Sequence, residues 1–185
     1  QQAIYDMLEG NIEKNVKNQK EMNIYGNIGQ KLFIEPAYLK AERNILKLMI
    51  DDDIAFKYIV AKNIDELFVL PSHKKIYRLI IKNVKKDNFL FVIESQCTDV
   101  ESSREWVSIL NNKVIYDNMQ EKLIDDYIQK IEKYKLEESK RKIMKQLNQS
   151  LMENNMDKAS NLSKELEMIR EKITSMNEKE VKNGK

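Results

Sequence analysis

Apolar side chains recur along this chain at intervals of three and four residues, the period of a helix that buries one face. From Pro36 onward the pattern divides into successive segments. Leu39, Arg43, Leu46 and Ile50 fall on one helical face, which Ile45 and Met49 widen. Asp51-Asp52-Asp53 follows and predicts a cap for the next helix, which runs through Ile54 and Phe56 to Val60. Asn63 begins a short turn through Leu67 and Phe68. Pro71-Ser72 then opens another helix, since proline suits a first turn and serine suits a cap. Its apolar stripe is Ile76, Tyr77, Ile80 and Val84. The aromatic and β-branched content of Phe89-Leu90-Phe91-Val92-Ile93 favours a strand by propensity. No partner strand is evident, so the segment is assigned to a short buried helix. Thr98 and Glu101 have capping-box spacing ahead of Trp106, Val107 and Leu110, with Trp106 as a core anchor.

No helix breaker interrupts Tyr116 to Glu153, which allows one very long helix. Its early stripe is Met119, Leu123, Tyr127, Ile131 and Tyr134. Lys135 to Lys142 is almost wholly charged, a pattern expected of a solvent-bridging helix that bends or frays. The stripe resumes at Ile143, Leu147 and Leu151. Asn154-Asn155 supplies a turn. Leu162, Leu166, Ile169, Ile173 and Met176 then form a heptad-like seam matching the preceding stripe, which predicts an antiparallel helical hairpin.

The fold class expected is all-α. An N-terminal helical bundle (37–117) is joined by a long helix (118–142) to a C-terminal helical hairpin (143–176), with a flexible tail at 177–185. Residues 1–36 hold three of the four glycines and read as a linker or the tail of an upstream region, with Ile4, Leu8 and Ile12 at helical spacing. The opening Gln1-Gln2-Ala3-Ile4 reads as a cut through a larger protein. A two-helix hairpin cannot satisfy all its apolar surface internally, so one face is expected to meet a partner. The partner-binding candidates are Leu147, Leu151, Met152, Met156, Leu162, Leu166 and Ile169.

Composition narrows the function. Of 185 residues, 42% are hydrophobic, enough for one core or two small ones. Between Gly29 and Gly184 there is no glycine, which argues against phosphate-cradling loops, nucleophile elbows and Rossmann turns. Cys97 is the single cysteine, has no cationic neighbour in sequence, and reads as a buried or neutral thiol in a reducing cytosol. His73 is the single histidine and lacks a partner at metal-ligand spacing, so a packed or capping role is expected. Consecutive helical residues point about 100° apart, so the aspartate triplet is not expected to share one ion. No catalytic, cofactor-binding or metal-ligating residues are therefore assigned. No apolar run approaches the length of a membrane span. The formal net charge is +2 with both signs interspersed, so DNA binding through Lys82, Lys85, Lys86, Lys140, Arg141, Lys142 and Lys145 is a secondary reading. A structural coiled coil is a third, disfavoured by a seam of under four heptads.

Three segments carry a resemblance to a known family. They are Glu42 followed by Ile45-Leu46-Lys47-Leu48-Met49, Phe68-Val69-Leu70-Pro71-Ser72-His73-Lys74-Lys75-Ile76-Tyr77, and Asn155-Met156-Asp157-Lys158-Ala159 with the leucine-rich helix beyond. In order and spacing they resemble the C-terminal helicase-binding domain of bacterial DNA primase (DnaG type), over roughly residues 37–176. The bundle segments are also similar to the N-terminal domain of the replicative helicase, the alternative reading. One departure is the hairpin turn, where the family often has glycine and this chain has Asn154-Asn155; asparagine tolerates left-handed geometry. The resemblance implies a cytoplasmic bacterial module, monomeric alone, that docks primase onto a replicative DnaB-type helicase ring. It implies a parent enzyme that makes RNA primers with zinc and Mg²⁺ or Mn²⁺ held by parts outside this chain.

Overall fold

The computed structural model describes residues 35–115 and 120–183. The chain divides into Gln1–Glu35 and Pro36–Lys185, and the second unit is the subject here. The expected linker, the helix at Ile4, Leu8 and Ile12, the start of the long helix at Tyr116 and the stripe residue Met119 lie outside the described residues.

The described residues form seven α-helices and no strand: α1 Ala37–Asp51, α2 Asp53–Ala61, α3 Pro71–Asn83, α4 Phe89–Gln96, α5 Val100–Asn111, α6 Gln120–Met152 and α7 Met156–Asn183. A single 3₁₀ turn, Asp65–Leu67, links α2 to α3. The fold is all-α.

Helix α1 is the central element. It packs against α2, α3, α5 and α6, so it is buried on most sides rather than along one stripe. Ile45, Leu46, Leu48 and Met49 are buried, while Leu39, Arg43 and Ile50 are only half-buried. Its C-terminus is tied to the next helix by the aspartate triplet. Asp51 pairs with Lys47 at 3.1 Å, and Asp52 is the N-cap of α2, accepting from the amides of Ile54 and Ala55 at 2.8 Å each. These bonds hold the Asp52 carboxyl below the usual carboxylate range despite the opposing effect of burial. Asn63 ends α2 with φ of 51°, a left-handed conformation that asparagine accepts more readily than most residues.

The core continues through Ile59, Phe68, Ile76, Tyr77, Ile80, Ile93, Trp106 and Ile109, and is closed by Ile124 and Ile131 of α6. Trp106 is the anchor its sequence context predicts. Three local expectations are corrected. Ser72 does not cap α3: the N-cap position is Leu70, and Ser72 is buried inside the first turn behind Pro71. The cap of α5 is Asp99, not Thr98: its carboxylate accepts from the Ser102 amide at 2.8 Å and from Lys75 Nζ at 2.8 Å. A carboxylate suits a helix N-terminus better than a hydroxyl because it also answers the helix dipole. Phe89–Ile93 is helical, as assigned, but not buried as a unit. Only Ile93 is fully enclosed, and Phe91 is 68% exposed, because an eight-residue helix lying on α3 covers a single face.

Helices α6 and α7 are long and antiparallel, joined at Asn154, whose φ is 54°. Ile143, Ser150, Ala159, Leu166 and Ile173 are buried along their seam. The charged stretch Lys135–Lys142 is not the bare bridge its composition predicts. Leu136 to Lys140 are half-buried, and α7 runs back beside them to Asn183, past the expected end of the hairpin at residue 176. A groove of about 580 Å³ lies where Lys172, Ser175 and Met176 of α7 approach Leu136 of α6 and Ile64 and Leu67 of the 3₁₀ region. The hairpin is thus continuous with the bundle within one compact unit.

Candidate interaction site

The hairpin tip is built by sequence in a simple way. Most residues at the seam period turn inward, but Leu151, expected in the stripe, is exposed, and Ser150 takes the seam position beside it. Leu166 is buried, and Leu147, Leu162 and Ile169 are half-buried beside it. These four candidates hold the two helices together. Leu151, Met152 and Met156 are 47%, 85% and 62% exposed and flank the turn at Asn154. These three form a protruding apolar cap. Met144 and Met168, which periodicity alone did not single out, are also exposed, at 40% and 56%. The signal that marks them is their position next to the seam residues Ile143 and Ile169.

The turn itself is secured by short-range bonds. The Asn155 amide donates to the Ser150 carbonyl at 2.9 Å, and the Asn155 side chain accepts from the Lys158 amide at 3.1 Å at the start of α7. Ser150 and Ala159, both small and buried, allow the helices to approach closely just below the tip. The exposed cap is therefore presented on a defined support. Unbranched methionines let such a surface adapt to an irregular partner.

A second polar feature lies inside the bundle. His73, in the first turn of α3, is fully buried. Its Nδ1 is 2.6 Å from Glu42 Oε2, and its Nε2 is 3.1 Å from Glu105 Oε2. Glu42 also accepts from the backbone amides of Val69 and Leu70. Glu105 accepts from Arg43 Nε at 2.7 Å. Burial pushes the Glu105 carboxyl up, but the Arg43 and His73 donors outweigh it and hold the group below its ordinary value. Each ring nitrogen of His73 thus has one carboxylate as its partner. The cluster joins α1, α3 and α5 through polar bonds whose members are all satisfied. This is the packed role that sequence reading gave His73; its two glutamate partners, 31 and 32 residues away, were not foreseen.

Cys97 is buried, and burial raises its thiol pKa, so it is a neutral thiol. Among the described residues no group of three acidic, histidine or cysteine side chains is placed to hold a metal ion, and no helix is long and apolar enough to cross a membrane.

In an alignment 183 positions long that covers 95% of its length, the chain is 38% identical to a DNA primase of Clostridium acetobutylicum. It is a relative of a bacterial DNA primase. The chain spans only 30% of that relative's length, so it corresponds to one part of such a primase. No protein-family model and no solved structure matches the chain.

Proposed function

We propose that this chain is the helicase-docking module of a bacterial DNA primase, with the hairpin tip as its contact surface. The reading is carried by one conjunction: similarity to a primase, together with an exposed leucine–methionine cap on a well-supported helical hairpin. An apolar cap of this kind is exposed at a solvation cost unless a partner covers it. The partner is the N-terminal region of the hexameric DnaB-type replicative helicase, in the cytoplasm at the replication fork. On this reading primer synthesis, with the zinc and Mg²⁺ or Mn²⁺ ions it uses, belongs to other parts of the primase. The similarity to a primase favours this over an N-terminal helicase domain.

The test is binding of the 185-residue chain to a bacterial replicative helicase hexamer, by calorimetry or a sizing column. Leu151→Ser, Met152→Ser and Met156→Ser together should weaken binding by about tenfold or more, since a few central apolar anchors usually dominate an interface. Helix content should be unchanged, because all three side chains are exposed. Undiminished binding by the triple variant refutes the assignment of the tip. A duplex DNA shift at physiological salt, with no helicase binding, would instead favour nucleic-acid binding.

A further inference from the structure

The cleft between α1 and α6 has a chemistry that helicase docking does not use. Ala37, Lys40, Ala41 and Asn44 lie on one face of α1 at i, i+3, i+4 and i+7, and Tyr127 and Lys130 face them from α6. The two alanines are too small to close the interface, leaving a cavity of about 240 Å³. No acidic side chain lines it. Lys40 is exposed and Lys130 lies over the Tyr127 ring, 5.5 Å from its centre; neither forms an ion pair among the described residues.

The inner wall is polar and fixed. Asn44 is only 5% exposed. Its Oδ1 accepts from Asn112 Nδ2 at 2.7 Å, and its bond to the Tyr127 oxygen favours the phenolate, as an amide N–H donor does. With that oxygen accepting from Asn44, the Tyr127 O–H is left to donate. The cleft thus offers two ammonium groups and a phenol O–H, while its one side-chain carbonyl is turned to Asn112. A donor-only lining selects an anion, and two ammonium groups on opposite walls match a group with several charged oxygens. The volume suits one or two phosphoryl groups.

We propose that this cleft binds a phosphate or diphosphate group, presented either by the free anion or by a nucleotide whose base lies outside the cavity. The test is calorimetric titration of the 185-residue chain with inorganic phosphate, pyrophosphate and ATP at constant physiological ionic strength. Saturable binding of pyrophosphate or ATP is expected. The double variant Lys40→Gln/Lys130→Gln should weaken it by about tenfold or more, and Lys40→Arg/Lys130→Arg should largely restore it. Tyr127→Phe should weaken it several-fold with the helical signal unchanged. ATP binding no tighter than pyrophosphate identifies the phosphoryl group alone as the ligand, and tighter ATP binding identifies a nucleotide. Absence of saturable binding, or equal binding by the wild type and the double glutamine variant, overturns the proposal.

Discussion

Replacing Glu42 by alanine tests whether the buried charge cluster holds the bundle together. The side chain is fully enclosed and serves three donors: His73 Nδ1 at 2.6 Å, and the amides of Val69 and Leu70 just before α3. Its loss leaves the imidazole with Glu105 alone and two backbone amides without acceptors. A hydrogen bond to a charged group typically contributes about 1.5–3 kcal/mol, and an orphaned buried donor costs about 1–3 kcal/mol. These losses overlap, so about 4 kcal/mol is expected for Glu42→Ala. Against a typical total of about 5–15 kcal/mol, that is a large fraction of the stability. For a domain of this size it lowers Tm by roughly 8–16 °C.

The assay is urea unfolding followed by helical circular dichroism, with Glu165→Ala, an exposed substitution on α7, as the reference. The reference should stay within about 0.5 kcal/mol of wild type. His73→Ala and the double variant complete a cycle, and the coupling between Glu42 and His73 should exceed about 1 kcal/mol. A loss below about 1 kcal/mol for Glu42→Ala, or simple additivity with His73→Ala, refutes the view that the two act as a unit.

Acid should destabilise the bundle through several carboxylates whose pKa values are depressed in the folded state. Asp99 is held low by Lys75 and the Ser102 amide, Asp65 by Arg78, Asp52 by the amides it caps, and Glu105 by Arg43 and His73. A depressed folded pKa means the contribution is present above the unfolded value, about 4, and is lost as pH falls through the folded value. Urea midpoints should therefore change little on account of these groups between pH 7 and 5 and fall steadily below about pH 4; a midpoint that rises on acidification would contradict the assignment. Amide exchange should protect Leu136 to Lys140 as well as it protects Leu123 to Ile131, because α7 packs alongside the charged stretch. Leu166→Ala, which should cost about 2–5 kcal/mol as a buried truncation, should raise exchange in α7 and in this stretch together. Fast exchange confined to Lys135–Lys142 in the wild type would mean that the joint is not covered.

Much of the fold was legible because helix periodicity and breakers are local. The absence of glycine between Gly29 and Gly184, the aspartate triplet, Pro71 and Asn154-Asn155 each marked a helix or a turn from neighbouring residues alone. What escaped was long-range. Composition marked Lys135–Lys142 as solvated because it carries only Leu136 as a large apolar residue. A charged helix is nevertheless half-buried when a second helix lies beside it, and long lysine and glutamate stems cover apolar surface while their charges stay in water. Glu42 and Glu105 escaped for the same reason: only the folded chain brings them to either side of His73. Of the contact candidates, periodicity assembled the apolar residues of the hairpin but did not separate Leu166, which faces inward, from Met152, which faces out. That division depends on how the two helices rotate about their seam.

The covering of the joint changes what the hairpin can do. A bare charged helix would let the tip swing independently, and its orientation would carry no information from the bundle. Here α6 is shared. Its first half closes the bundle core through Ile124 and Ile131, and its second half forms the hairpin seam through Ile143 and Ser150. Near the centre, Tyr134 stacks on Tyr38 of α1 with ring centroids 3.8 Å apart, and Lys135 donates to the Glu66 carbonyl within the 3₁₀ turn. Any rotation of the hairpin about the bundle must therefore break a ring stack and a hydrogen bond together. The direction in which Leu151, Met152 and Met156 point is set by packing far from them, so substitutions in the bundle that loosen α6 should weaken a partner held at the tip without touching it.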